Sequence, residues 1–233
     1  MTEKPISIID AAWTKPTHAG AVARAVVERL GEELQFKLVP FAAIAPDLEA
    51  RYLVKNVVAA EALIVIWGRP KCGKSFWTFD LAAHVAAGLE YRGQKVRQGP
   101  VIYIAAEGAA GFNGRVEAWR ARHLGDAGEA GADAPAVPFH LLPMRLDLVE
   151  DHQAFMNDVL AQTGDATPAL VVIDTLNRTY SGSESSDEDM TAYVAAADAI
   201  KAAFKCSVII VHHCGHETSR PRGHSSLNSG LAV

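Results

Sequence analysis

Cysteine is scarce in this sequence. Cys72, Cys206 and Cys214 form no CxxC pair and are odd in number, which excludes a disulfide framework and reads as reduced thiols. Long hydrophobic runs are also missing. The longest apolar stretches are strand-length, so no transmembrane helix and no membrane partner are expected. The opening "MTEKPISIIDAAW" lacks a basic segment followed by an apolar one. It is therefore not read as a signal peptide, and a cytoplasmic protein is the default expectation. Positive charge is not in excess: 22 Lys and Arg stand against 27 Asp and Glu. That removes an overall basic footprint for nucleic acid, although a local basic surface would suffice for a channel. There is no internal repeat.

What is present is an α/β pattern. Residues 1–50 read as an N-terminal helix, with Ala21, Val22, Ala25, Val26 and Leu30 on one face, and a proline-interrupted extended connector. From there, residues 51–233 read as one domain of alternating strands and helices. Strands are expected at "ALIVIW" (62–67), "PVIYIAAEG" (100–108), "FHLLPM" (139–144), "ALVVID" (169–174) and "CSVIIVHH" (206–213). Helices are expected over 75–89, 111–124, 151–164 and 185–204, with a surface loop at 125–138. Near-continuous apolar strands between helices predict a largely parallel sheet covered on both faces.

Between the first of these strands and its helix lies "GRPKCGKS", with Gly68, Gly73, Lys74 and Ser75 matching G-x-x-x-x-G-K-[ST]. A strand before the loop and a helix after it are what phosphate binding requires. Glycines let main-chain N–H groups curl round an anion, and the helix N-terminus adds partial positive charge. The nucleotide contacts expected are Gly68, Arg69, Pro70, Lys71, Cys72, Gly73, Lys74, Ser75 and Phe76. Lys74 would reach the β- and γ-phosphates of ATP, and Ser75 would ligate Mg²⁺.

A metal-bound triphosphate needs an acid across the sheet. Asp174, ending "ALVVID", is in the Walker B position. The next residue is Thr175, which cannot serve as a general base. Glu107, closing "VIYIAAE", is the expected base, on a strand that can lie beside the P-loop strand. His213, ending "VIIVHH", is the expected sensor of the γ-phosphate. His212, His213, Cys214, His216 and His224 also suggest a zinc site, but their spacing matches no common structural pattern.

Together "GRPKCGKS", "VIYIAAEG", "LVVIDTLNR" and "VIIVHHCG…RGHSSL" resemble the RecA-like ATPase core, and within it the RepA-like hexameric helicases. The chain also looks like the AAA-family ATPases of phages, plasmids and prophages. The resemblance spans roughly residues 50–228. It implies a RecA-like P-loop NTPase fold, a homo-oligomeric, hexameric ring and ATP hydrolysis with Mg²⁺. It also implies single-stranded DNA contacts from 177–187 and 214–226, which carry Arg178, Arg220 and Arg222. The first of these segments is acidic apart from Arg178. In the family the core continues beyond "SSL" to an arginine finger, so a truncated or reduced C-terminal part is expected here, with no finger named. Two other readings stay open: a nonmotor ATP switch or assembly module, and a small-molecule or nucleotide kinase. For the kinase, Arg115, Arg120 and Arg122 would be the only lid-like cluster.

Overall fold

The computed structural model describes residues 38–44, 52–107, 111–125, 137–164 and 166–214. The chain divides into two compact units, Met1–Glu49 and Ala50–Val233. In the first, the described stretch holds one 3₁₀ turn, Phe41–Ala43; the helix expected around Ala21 to Leu30 lies outside the described residues. No helix among the described residues is long and apolar enough to cross a membrane.

The second unit opens with a two-stranded antiparallel hairpin, β1 (Tyr52–Val54) and β2 (Val58–Ala59). The sequence pattern predicts no strand here, its first being at 62–67. The hairpin turn carries Asn56 at φ 59°, a left-handed conformation that Asn tolerates better than most residues. Leu53, Val54 and Val58 are buried. The main sheet is fully parallel, with strand order β3–β7–β6–β4–β5. Its strands are β3 (Leu63–Gly68), β4 (Val101–Ala105), β5 (Phe139–Leu142), β6 (Leu170–Asp174) and β7 (Ser207–His213). Helices α1 (Lys74–Ala87), α2 (Phe112–His123), α3 (Leu148–Thr163) and α4 (Asp187–Phe204) connect them.

The expected α/β architecture stands, and its core explains the apolar strands. Ile102, Ile104, Val171, Ile173, Val208 and Ile210 pack with residues of α3 and α4 on one face. Val101, Tyr103, Leu170, Val172 and Ile209 pack with α1 and with Phe112 and Trp119 of α2 on the other. Alternate residues of one strand thus enter two different cores, so both faces must be apolar.

Two expectations need correction. Strand β4 does not lie beside the P-loop strand β3, because β7 and β6 sit between them. Strand order depends on which faces the crossover helices cover, and apolar alternation carries no record of it. Nor does Glu107 close β4: the strand ends at Ala105, and Glu107 stands exposed two residues further on.

Helix α3 starts three residues earlier than the pattern suggested because Asp147 caps it, accepting from the N–H groups of Val149 and Glu150. The same carboxylate accepts from the main-chain N–H of Ser181 at 3.1 Å and from its hydroxyl. Asp147 therefore ties α3 to the loop after β6. Burial alone would raise its pKa, but the bonds from Ser181, Glu150 and Val149 outweigh that and hold it below the ordinary range. Asp147→Ala is expected to cost about 1–2 kcal/mol of stability in urea unfolding at neutral pH. A depressed folded pKa means the contribution is complete above the unfolded value of about 3.9 and is lost as pH falls through the folded one. The gap between wild type and variant should accordingly close in acid.

Candidate nucleotide site

The loop between β3 and α1 folds as its glycines dictate. Gly73 has φ 94° and immediately precedes α1, a conformation a side chain would strain. A Cβ at Gly68 would come within 3.2 Å of the Cys72 sulfur, so Gly68 also permits the tight curl. Arg69, Pro70, Lys71 and Cys72 are exposed along the loop, and Lys71 is itself at φ 61°. Phe76, 62 % exposed, lies under the Arg115 guanidinium at 4.6 Å from the ring centroid. Arg115 thus packs on a ring next to the loop.

Lys74 opens α1, and its side chain folds back into the loop. Its Nζ donates to the main-chain oxygens of Gly68 and Arg69, each at 2.9 Å. The Cys72 sulfur is 3.9 Å away and His213 Nδ1 3.3 Å away. His213 arrives there because β7 pairs directly with β3, placing Gly68 opposite His213. The Cys214 N–H donates to Gly68 O at 3.1 Å, carrying the pairing one residue further.

On the next turn of chemistry, Ser75 Oγ donates to Asp174 Oδ1 at 3.0 Å, joining residues 99 positions apart. The other carboxylate oxygen accepts from the Tyr103 hydroxyl at 2.7 Å. Tyr103 was not among the expected site residues. Its signal was a lone hydroxylated ring in an otherwise aliphatic strand, "VIYIA". Burial first, then the adjacent Asp174 charge, push the Tyr103 phenol well above its ordinary pKa, so it remains a donor. Burial is also the main cause that raises Asp174. Bonds from Tyr103 and Ser75 and the charge of Arg115 oppose the rise, and the charge of Glu107 adds to it.

Glu107 is brought near by the β4–β6 pairing, since Ala105 faces Asp174 and the Ala106 N–H donates to Asp174 O at 2.9 Å. Its carboxylate pairs with Arg178 Nε at 3.7 Å, both side chains being partly exposed. Arg178 belongs to the 3₁₀ turn Leu176–Arg178 directly after β6. Thr175 is buried and donates to Asn177 Oδ1 at 2.9 Å, in keeping with its exclusion as a base. Arg220 and Arg222, like His216 and His224, lie outside the described residues.

Ser75 and Asp174 offer oxygen ligands of the kind Mg²⁺ takes, and they converge across the sheet. Among solved structures, a KaiC-like protein from the hyperthermophilic archaeon Pyrococcus horikoshii is similar over 76 % of this chain and 74 % of its own, at 13 % identity and a TM-score of 0.45. The fold and loop described above are those of a RecA-like P-loop core. In agreement, a family model described as AAA domain matches residues 31–219, most of the sequence, and the chain belongs to that family.

Proposed function

We propose that the chain binds ATP with Mg²⁺ at this loop and hydrolyses it. The observation that carries the reading is the bond from Ser75 to Asp174 across the sheet, beside a lysine whose ammonium sits within the phosphate loop. Lys74 would hold the β- and γ-phosphates, and Ser75 and Asp174 would hold Mg²⁺. When bound, the ion neutralises phosphate charge. Glu107 would orient the attacking water and take its proton. His213, already against Lys74, would sense whether the γ-phosphate is present.

The resemblance to RepA-like helicases extends the proposal. The working form would be a homo-oligomeric ring, hexameric by that resemblance, acting as a DNA helicase or as a replication or recombination accessory. Arg178, Arg220 and Arg222 would then meet single-stranded DNA. One observation favours a second reading, a nonmotor ATP switch. Arg178 is the only basic residue in the acidic segment 177–187, and it is paired with Glu107. ATPase rate with and without single-stranded DNA, together with solution mass with and without ATP, decides. Stimulation by DNA supports the motor. ATP-dependent assembly without stimulation supports the switch. An absence of Mg²⁺-dependent ATP turnover under every condition removes the proposal.

Cys72 is an exposed thiol inside the same loop. Its alkylation should block nucleotide binding by bulk, and ATP should slow the labelling. Equal labelling rates with and without ATP, followed by peptide mass, would place the nucleotide away from this loop.

A further inference from the structure

Further along α1, a cluster of side chains stands apart from Lys74, Ser75 and Asp174. Asp80 and His84 are one turn apart on α1, and His123 ends α2. One ligand-capable atom from each lies within 4.8 Å of the others. The two imidazole rings meet edge on, with centroids 4.7 Å apart. His84 is buried. Its Nδ1 is 2.7 Å from the Asp80 main-chain oxygen and 3.3 Å from Asp80 Oδ1. Donation to that carbonyl fixes the proton on Nδ1 and leaves the lone pair on Nε2, the orientation that ligating histidines commonly have. Trp119 Nε1 donates to Asp80 Oδ1 at 3.1 Å, which orients the carboxylate while its second oxygen remains to be given. Burial, and after it the neighbouring His84, hold the pKa of His123 below the ordinary imidazole range.

These residues line a cavity of about 670 Å³ together with Trp77, Tyr91 and Trp119, and its end nearest the phosphate loop is lined by Phe76 and Arg115. On its wall, Tyr91 is 1 % exposed, and its buried hydroxyl makes no well-formed hydrogen bond among the described residues, with Arg92 and Trp77 its nearest polar neighbours. A buried hydroxyl this weakly paired is costly unless something fills the site.

We propose that Asp80, His84 and His123 bind a divalent transition-metal ion, zinc foremost, with a fourth position open to the cavity and the Tyr91 hydroxyl as partner for a water or anion there. Two imidazoles and one carboxylate suit zinc far better than Mg²⁺ or Ca²⁺, which prefer all-oxygen sets. Zinc bonds of about 2.0–2.2 Å put tetrahedral ligands about 3.4 Å apart, so adjustments of about 1 Å close the site. The half-buried His123, at a helix end, is placed to supply them. His84 follows Lys74 by ten positions, about 15 Å along the helix, so this ion is separate from the Mg²⁺ of the nucleotide. It would pin α2, the helix after Glu107, to α1, the helix that carries Lys74 and Ser75.

The test uses the full chain, stripped with a chelator and titrated with Zn²⁺ and Co²⁺ without nucleotide. Wild type should take up about one zinc per chain, show the visible bands of four- or five-coordinate cobalt, and melt at a higher temperature with zinc. His123→Ala and the isosteric Asp80→Asn should each weaken zinc binding by about tenfold or more and lose the cobalt bands. Asp80→Asn decides the matter if the alanine variant does not fold. Absence of stoichiometric binding overturns the proposal. So does unchanged binding in both variants, which would put the ion elsewhere, for example on the histidines and cysteine from His212 onward.

Discussion

Lys74→Ala should abolish ATP binding. Its ammonium is held by the oxygens of Gly68 and Arg69 at 2.9 Å each, with His213 Nδ1 at 3.3 Å, and Lys74 itself is only 9 % exposed. The charge is therefore pre-positioned within the loop, and phosphate oxygens can replace the main-chain oxygens as acceptors without a long excursion of the side chain. Two charge-assisted hydrogen bonds to phosphate, at about 1.5–3 kcal/mol each, correspond to a loss on the order of 10²–10⁴ in affinity. Titration calorimetry with ATP and Mg²⁺ reads this directly. Lys74→Arg should not restore binding, because a planar fork does not fit where a compact ammonium is enclosed by main-chain oxygens. Both variants should unfold cooperatively near the wild-type midpoint, since the freed carbonyls belong to a loop that water reaches. Tight ATP binding by a folded Lys74→Ala protein would mean that the nucleotide is held elsewhere.

Much of this site was legible in the sequence because its parts are local. "GRPKCGKS" carries its own turn chemistry: Gly73 must be left-handed, Lys74 must open the helix, and Ser75 must follow. Asp174 was legible because a buried apolar strand that ends in an acid is unusual. What was not legible depends on pairing between distant segments. Tyr103 and Asp174 meet only because β4 and β6 are neighbours in register, and strand order leaves no trace in alternation. The same holds for His213, whose strand-end position was readable while its contact with Lys74 follows from β7 lying against β3. The β1–β2 hairpin was hidden by its shortness and by nearby prolines, although "KN" between apolar residues was a usable turn signal. The pairing of Arg178 with Glu107 was the least accessible. Two exposed, oppositely charged residues 71 positions apart have no shared pattern, and each had been assigned a separate task.

That pair bears on the second large effect: Glu107→Gln should stop turnover while leaving ATP binding within a few-fold of wild type. Glutamine keeps the shape of glutamate but cannot accept a proton. Loss of a general base costs on the order of 10²–10⁴ in kcat, and single-turnover phosphate release measures it. The alternatives nearby are poor. Asp174 has one oxygen bonded to Ser75 and the other to Tyr103, and Thr175 is buried and committed to Asn177. Glu107 alone of the three is exposed, with its charge felt at Asp174. Its partner Arg178 should matter far less. An ion pair this exposed is worth about 0–1 kcal/mol, so Arg178→Ala should shift the rate by no more than about fivefold in either direction. In the double variant the loss should equal that of Glu107→Gln alone, because removing the guanidinium cannot help a side chain that takes no proton. An active Glu107→Gln protein would break this ordering and move the base to a residue outside the β4–β6 crevice.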